Sequence, residues 1–288
     1  MSTQLSSQLP SLSKLYHYDG GKRRWLQGKL EAIAASSNQL RSFSLVTWNV
    51  DFMAPFEKAR LRAAVDHLES RLSPRLSPPP SPTIILLQEV HEECFDTLLE
   101  HKFIREFYHS HRHLLKEQLQ HNHARAQVAR SPSVRRRKGS LRFRIANTHL
   151  ESLPGFGDKA RPKQLKIVAD MLTAPNVNGG LVAGDMNCIS LSDQGLPEQL
   201  SLTDAWLAMA VRPTTDGVDD DTGETEGHTW GYQPRSQFPP NRLDKVLTVG
   251  ELKVVDMERV GVGLKIKDKD EWVSDHYGLL AKIVFPLE

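Results

Sequence analysis

The chain has 288 residues, of which 39% are hydrophobic and 25% are charged, and its formal net charge is +2. This is the composition of an ordinary globular protein, long enough for one large α/β domain or two small ones. No apolar run reaches the length of a membrane span and the first twenty residues lack a secretory apolar core, so we expect an intracellular protein that is neither inserted into a membrane nor exported.

The first elements can be predicted from local pattern. Residues 1–40 are polar with scattered aromatics and predict a flexible N-terminal arm, followed by a domain over 41–288. Within it, Phe43–Trp48 predicts a short strand, and the apolar spacing over Glu57–Leu72 predicts an amphipathic helix. Thr83–Leu87 is a continuous apolar run of strand length, which predicts a buried central strand.

The later elements continue the alternation of strands and helices. His91–His101 and Arg161–Leu172 predict helices, and Leu141–Ala146 and Gly179–Ala183 predict strands. Strands that alternate with helices early and cluster late predict a layered α/β fold with mixed sheets. The late strand-like runs are Leu243–Val249, Leu252–Val260 and Gly278–Phe285.

A strongly basic segment lies in the middle of the chain. From Lys102 to Arg144, twelve Lys or Arg side chains stand against two Glu, a net charge of +10 that leaves −8 for the rest. Because residues 102–139 lack apolar alternation, they predict a basic disordered segment that interrupts the domain. Such a block is either a solvated tail or a surface that attracts polyanions. Arg135–Lys138 is a weak nuclear signal, so both nucleus and cytoplasm stay open.

Polar residues stand at the ends of the predicted strands. Rigid strands hold such end loops in place, so sites are often built there. Several such groups in sequence order predict one shared site. The groups are Asn49; Glu89; Asn147 with His149; Asp185 with Asn187; Asp244; and Asp275 with His276.

These residue types suit the hydrolysis of a phosphodiester. The carboxylates of Glu89 and Asp275, helped by the amide of Asn49, are oxygen ligands suited to Mg²⁺ or Mn²⁺. Asp185 suits the orientation and deprotonation of an attacking water. Zinc is disfavoured because no set of Cys and His residues has metal-ligand spacing.

The two histidines of the groups can contact phosphate. His149 and His276 can donate hydrogen bonds to phosphoryl oxygens, and a buried Asp244 would fix the tautomer of an imidazole. Two alternatives remain open at this point. Asp244 either fixes an imidazole or forms a surface ion pair with Lys245. Asn49 either helps to bind the metal or caps a turn.

Taken in order, the motifs resemble those of the endonuclease/exonuclease/phosphatase superfamily, over about residues 43–286. The His-Leu-Glu-Ser sequence, and an Asp-His followed by an aromatic residue and Gly-Leu, are similar to the branch that hydrolyses 5′-tyrosyl-DNA adducts. The segments that carry the resemblance are Thr47-Trp-Asn-Val50, Leu87-Gln-Glu-Val90, Thr148-His-Leu-Glu-Ser152, Gly184-Asp-Met-Asn187, Arg242-Leu-Asp-Lys245 and Ser274-Asp-His-Tyr-Gly278.

The resemblance implies a fold and a set of roles. The fold is a DNase I-like four-layer α/β sandwich of two mixed β-sheets flanked by helices, with the metal site at one edge of the packed sheets. The roles are metal positioning by Asn49 and Glu89, water activation by Asp185, phosphate binding by Asn187 and His149, and orientation of His276 by Asp244.

Three further residues have two interpretations each. The resemblance implies that Trp230 lines a nucleic-acid channel, where it would stack on a base, but Trp230 is equally an ordinary core tryptophan. Glu151 and Ser152 are either substrate contacts or a loop-to-helix cap.

The chain departs from the family pattern between the glutamate and histidine motifs. The family has a pair of strands there, and this chain has the basic segment 102–139, so we expect part of one sheet to be missing. The expected function is that of a monomeric Mg²⁺-dependent phosphodiesterase acting on nucleic acid, on 5′-tyrosyl-DNA adducts in DNA repair. The alternatives are an RNA exonuclease or deadenylase, a small-molecule phosphatase of the same fold, or a catalytically impaired nucleic-acid-binding relative.

Overall fold

The structure, a computed structural model, describes residues 15–27, 41–73, 82–111, 127–130, 134–136, 139–175, 177–209 and 227–285. The strands are β1 (Leu15–Asp19), β2 (Arg24–Gln27), β3 (Ser42–Asn49), β4 (Thr83–Gln88), β5 (His109–His111), β6 (Gln127–Arg130), β7 (Val134–Arg136), β8 (Gly139–Leu141), β9 (Phe143–His149), β10 (Gly179–Asp185), β11 (Thr203–Asp204), β12 (Asp244–Gly250), β13 (Lys253–Val260) and β14 (Gly278–Val284). The helices are α1 (Glu57–Leu72), α2 (Phe95–Glu100), α3 (Lys102–Phe107), α4 (Phe156–Leu172), α5 (Leu191–Gln194), α6 (Leu196–Gln199) and α7 (Ala205–Met209), with a 3₁₀ turn at Glu92–Cys94.

Two mixed sheets form the body of the described chain. One has the strand order β13-β14-β3-β4, in which β3 and β4 are parallel and the other pairs are antiparallel. The other has the order β11-β12-β10-β9-β6, in which β9 and β10 are parallel. Smaller sheets are formed by β2-β1-β5 and by β7-β8.

The two large sheets pack face to face, because alternate residues give each sheet an apolar inner face. Phe43 and Leu45 of β3 lie in this inner layer with Ile145 of β9, Leu181 of β10 and Ile283 of β14. All five side chains are buried. The inner layer is therefore one continuous apolar core between the sheets.

Helices cover the outer faces of both sheets. Trp48, on the outer face of β3, packs with Leu61 and Val65 of α1. Val182, on the outer face of β10, packs with Leu165 of α4. The layers run helix, sheet, sheet, helix, which confirms the four-layer α/β sandwich of two mixed sheets.

Most predicted elements are present, with shifted boundaries. Helix α1 spans Glu57–Leu72, as the apolar spacing predicted. Helix α4 begins at Phe156 rather than Arg161, directly after Gly155, which adopts a left-handed φ of 72° in the preceding turn. The single helix predicted over 91–101 is divided into a 3₁₀ turn and α2.

The predicted N-terminal arm needs correction where the structure describes it. β1 and β2 form an antiparallel hairpin within the 1–40 stretch. Tyr18 contacts Trp25 edge to face, and the Arg105 guanidinium lies 4.6 Å from the centroid of the Tyr18 ring. Aromatic rings with such partners offset the entropy cost of ordering the chain. Residues 1–14 and 28–40 lie outside the described residues.

The predicted basic disordered segment also needs correction. Within 102–139, α3 buries Phe103 and Ile104, β5 pairs with β1, and β6 pairs antiparallel with β9. The two apolar side chains account for the order of α3, and β6 supplies a strand beside β9 where we expected none. Residues 112–126, 131–133 and 137–138 lie outside the described residues, and the domain boundaries stay a prediction. None of the helices in the described ranges has the length and apolar character needed to cross a membrane.

Candidate active site

The layer between the sheets is apolar along most of its length and becomes polar at one end. On β10 the inward residues Leu181 and Ala183 are followed by Asp185, and on β3 the inward Leu45 is followed four positions later by Asn49. Asn49 and Asp185 are each only 1% exposed. The polar end is therefore a continuation of the core, and it places carboxylates and amides where water is largely excluded.

Strand register brings the polar residues side by side. Asp185 pairs with His149 on the parallel strand β9 and with Asp244 on the antiparallel strand β12. On the other sheet, Asn49 pairs with Gln88, the residue before Glu89. Residues paired in this way lie next to each other on one sheet face. The motifs are distant in sequence and adjacent in space.

Asn49 joins the two sheets at this end. Its Nδ2 donates to Glu89 Oε1 at 3.0 Å and to Asp185 Oδ2 at 3.1 Å. Its Oδ1 accepts a hydrogen bond from the backbone N–H of Asp51 at 3.0 Å. Asn49 thus caps a turn and also contacts two carboxylates, so the two interpretations of this residue are compatible.

His149 lies between the same two carboxylates. Its Nε2 is 3.5 Å from Glu89 Oε1 and 3.6 Å from Asp185 Oδ2. Burial raises the pKa of Glu89, against the lowering effects of the Asn49 hydrogen bond and of His149. The site therefore contains a carboxylate that favours a nearby positive charge.

His276 and Asp244 form a buried pair on the other side of Asp185. His276 Nδ1 lies 2.7 Å from Asp244 Oδ2, and His276 Nε2 lies 3.9 Å from Asp185 Oδ2. Burial by itself lowers the pKa of His276, but the carboxylates of Asp244 and Asp185 outweigh it and raise that pKa well above the usual value. Lys245 pairs instead with Asp204. The surface ion pair considered for Asp244 is therefore absent.

Trp230 and Asp275 lie next to this pair. Trp230 Nε1 donates to Asp275 Oδ2 at 2.9 Å, and Asp275 Oδ1 is 3.9 Å from His276 Nε2. Trp230 is half-buried and forms backbone bridges to Asn241 and His276. Its ring is thus held at the edge of the site, between the core and solvent.

Asn187 binds the loop after β9. Its Nδ2 donates to the carbonyl of Leu150 at 2.9 Å, and its backbone N–H donates to Asp185 Oδ1 at 2.8 Å. Glu151 and Ser152 lie just beyond, and the Glu151 carboxylate accepts the backbone N–H of Leu153 at 3.2 Å. Glu151 thus makes a contact within the loop and not a helix cap, because Gly155 and Asp158 cap the following helix, and Ser152 is exposed.

Two residues were missed as members of the site. Gln88 is buried and hydrogen-bonds across to the other sheet, and Ser274 links the carbonyl of Asn49 to the N–H of His276 through its hydroxyl. Both stand beside a predicted site residue in a motif. A signal for Gln88 was available, because it shares the inward face of β4 with Leu86.

Two site residues adopt left-handed backbone conformations. Glu89 has a φ of 54° and Asn187 a φ of 46°. Such values are uncommon outside glycine, especially for a glutamate, and they persist only where surrounding contacts determine them. The strand ends at the site are therefore held by specific contacts.

The donor set fits a divalent cation. One ligand atom each from Glu89, His149 and Asp185 lie within 4.8 Å of one another. Among the described residues, the basic groups that approach these carboxylates are imidazoles, which leaves an excess of negative charge. Carboxylate oxygens suit a hard cation. Asn49, expected as a ligand, turns its Nδ2 toward Glu89 and Asp185, while its Oδ1 accepts the N–H of Asp51, so its amide orients the carboxylates instead. Asp275, expected as a ligand, does not fall within this group.

Comparison with known proteins identifies the family. The model of the Endonuclease/Exonuclease/phosphatase family matches residues 46–276. A search of curated proteins found no match.

Solved structures share the fold. A truncated TDP2 from Caenorhabditis elegans is 19% identical, with 85% of this chain and 100% of that chain covered and a TM-score of 0.56. D. rerio TDP2 complexed with a single-strand DNA product is 14% identical, with 84% and 98% covered and a TM-score of 0.54. An endonuclease/exonuclease/phosphatase family protein from Bacteroides thetaiotaomicron is 15% identical, with 86% and 100% covered and a TM-score of 0.51. At these identities the likeness shows the fold. Because the family model matches most of its length, the chain belongs to the endonuclease/exonuclease/phosphatase family and is an enzyme of its phosphodiesterase and nuclease type.

Proposed function

We propose that this protein is a Mg²⁺- or Mn²⁺-dependent phosphodiesterase that acts on nucleic acid, with 5′-tyrosyl-DNA adducts as its substrate. The observation that carries the proposal is the convergence of three side chains on Asp185 Oδ2. Asn49 Nδ2 lies 3.1 Å from that oxygen, His149 Nε2 3.6 Å and His276 Nε2 3.9 Å. A buried carboxylate flanked by two imidazoles suits the attack of water on a phosphate whose oxygens the imidazoles bind.

The metal-binding role belongs to the other carboxylate. Glu89 would hold the cation, with Asn49 fixing the orientation of the Glu89 carboxylate. Asp275 was the second ligand expected. Because it lies beside Trp230 and His276, its proposed role is to hold these two side chains at the edge of the site. A bound Mg²⁺ or Mn²⁺ polarises a phosphoryl oxygen and stabilises the charge that develops on it.

The protein's own residues then divide the hydrolysis between them. Asp185 orients the water and takes its proton while the water oxygen bonds to phosphorus and the bond from phosphorus to the leaving oxygen breaks. His149, the His276 imidazolium and Asn187 donate hydrogen bonds to the phosphoryl oxygens. Asp244 holds His276 through Nδ1, which directs Nε2 toward the phosphate.

The family and the similar structures support the proposed substrate class. The TDP2 structures share this fold, and one of them holds a single-strand DNA product. The hydrogen bond to Asp275 holds the ring of Trp230 at the edge of the site, and in this proposal the ring stacks on an unpaired base at a strand end. Action on such DNA ends would give the protein a role in DNA repair, in the nucleus, the cytoplasm or both, and the basic 102–144 stretch suits contact with a polyanion.

A substrate panel tests the proposal. Purified protein with Mg²⁺ would be given a 5′-tyrosyl oligonucleotide, a polyadenylated RNA and a soluble phosphomonoester, each beside the Glu89→Gln variant as background. We expect the tyrosyl substrate to be turned over faster than the other two substrates. We also expect Glu89→Gln to abolish this turnover. Preference for RNA or for the phosphomonoester would replace the tyrosyl-DNA assignment, and turnover that Glu89→Gln leaves unchanged would remove this site from the chemistry.

A further inference from the structure

Directly behind the site, a pair of amide side chains connects the two large sheets. Gln88 Nε2 of β4 donates to Asn147 Oδ1 of β9 at 2.7 Å, and Asn147 Nδ2 donates to the carbonyl of Leu87 at 3.0 Å. Gln88 Nε2 also donates to Thr47 Oγ1 at 3.0 Å. Gln88 is 4% exposed and Asn147 9%. Gln88 Oε1 is buried without a hydrogen-bond partner among the described residues, and breaking the other bonds would leave further unpaired polar groups in the core, so the pair resists being separated.

The position of the pair relates it to the site. Gln88 immediately precedes Glu89, and Asn147 stands two residues before His149 on the same inward face of β9. The backbone carbonyl of Gln88 also accepts the N–H of Val50 at 3.1 Å, so Gln88 is held through both its side chain and its main chain. These bonds act on the residue next to Glu89, whose left-handed φ of 54° needs such constraint.

We propose that Gln88 and Asn147 are positioning residues, a clamp that sets the separation of Glu89 from His149 across the two sheets. The proposal rests on the proposed function for its activity readout. The two site residues belong to different sheets, and their 3.5 Å contact depends on how the inner faces meet at this end. Packing of the apolar layer alone tolerates small sliding of one sheet over the other. The two hydrogen bonds of the amide pair oppose such sliding, in addition to the bond from Asn49 to Asp185.

The test is a double-mutant cycle with Gln88→Leu, Asn147→Leu and the double variant. We expect each single substitution to lower kcat by about tenfold to a hundredfold with a much smaller change in substrate KM, because a misplacement near 1 Å carries a cost of that size. The double variant should lose little more than either single one, since both remove the same clamp. Independent, fully additive losses would overturn the proposal.

A second readout does not depend on turnover. Mn²⁺ affinity, measured by electron paramagnetic resonance of the free ion, should weaken by about tenfold or more in both single variants, because residues that orient metal ligands have effects of this size. Unchanged affinity would overturn the proposal. If the wild type hydrolyses none of the three substrates, the proposed function fails by itself, and the Mn²⁺ measurement still decides the clamp.

The matched control is Ile145→Val on the same inward face of β9. Ile145 is buried in the apolar layer two residues before Asn147 and makes no part of the clamp. The Ile145→Val substitution should lower the melting temperature and leave kcat and Mn²⁺ affinity unchanged. If Ile145→Val reduced kcat and Mn²⁺ affinity as strongly as Gln88→Leu, the effect would be general loosening of the core, and the clamp would have no distinct role.

Discussion

Arg161 and Asp193 form an ion pair in which neither side chain is exposed to solvent. Arg161 Nε donates to Asp193 Oδ2 at 3.0 Å and its Nη2 lies 2.8 Å from the same oxygen. Arg161 Nη1 also donates to the carbonyl of Glu151 at 3.0 Å. One guanidinium on α4 therefore connects the loop that follows His149 with the short helix α5, which contains Asp193. The segments that follow His149 and Asn187 are therefore held together by a side chain that does not itself belong to the site.

Arg161→Met should destabilise the protein by about 3–5 kcal/mol, because it leaves the buried Asp193 carboxylate without its charged partner and with only the hydrogen bonds from Ser190. Urea unfolding followed by circular dichroism measures the change. Lys166→Met is the matched control on the same helix, since Lys166 pairs with Asp170 at the surface and should contribute at most about 1 kcal/mol. Equal effects of the two substitutions would contradict the account of the buried pair.

Asp185→Asn should abolish turnover while leaving substrate affinity nearly intact. The amide keeps the shape of the side chain but cannot take a proton from water. Single-turnover rates and equilibrium binding on one 5′-tyrosyl oligonucleotide separate the two quantities. A variant that keeps most of its rate would remove Asp185 from the role of base. Asp170→Asn, on the exposed face of α4, serves as the surface control.

Asp244→Asn should lower kcat by about a hundredfold or more, since loss of the carboxylate lets His276 adopt the wrong tautomer and orientation. The matching structural readout is the ¹⁵N chemical shift of the two ring nitrogens of His276. We expect an imidazolium in the wild type and a neutral ring in the variant. A fully active variant with an unchanged His276 spectrum would show that the pair is only structural.

Phosphodiesterase activity should disappear in EDTA and return on addition of Mg²⁺ or Mn²⁺. The reason is the negative charge of the carboxylates around Glu89 and Asp185. Hydrogen bonds from Asn49 and contacts with His149 do not neutralise this charge, so the site requires a cation. Initial rates against free metal concentration give the measurement. Turnover that persists in chelator would mean that Glu89 is not a metal ligand in the reaction.

Gly184→Ala should prevent stable folding. Gly184 has a φ of 146°, and a Cβ there would lie 1.8 Å from the backbone oxygen of Thr148 on the neighbouring strand. Gly263→Ala is the control, because Gly263 also has a left-handed φ but has open space around its Cβ position. We expect Gly263→Ala to lower the free energy of unfolding by about 1 kcal/mol. Gly184→Ala protein that is soluble and melts cooperatively would contradict the close packing of β9 on β10.

The sequence alone determined the family, the layered α/β fold and the residues at the strand ends. Alternation of apolar residues is a local property, and it was sufficient to place Asn49, Glu89 and Asp185 at the ends of their strands. Strand ends held on rigid sheets then had to lie close together, so the polar cluster was predictable before its geometry was known.

Only the tertiary structure decided which partners these residues have. Asp244 pairs with His276 and not with its neighbour Lys245, and Gln88 contacts Asn147 of the other sheet. It also decided that part of the basic segment is ordered, because α3 and β6 gain partners from β1 and β9 that no local pattern contains. Contacts between sheets depend on register and on the meeting of two faces, and both are set by packing across the whole inner layer.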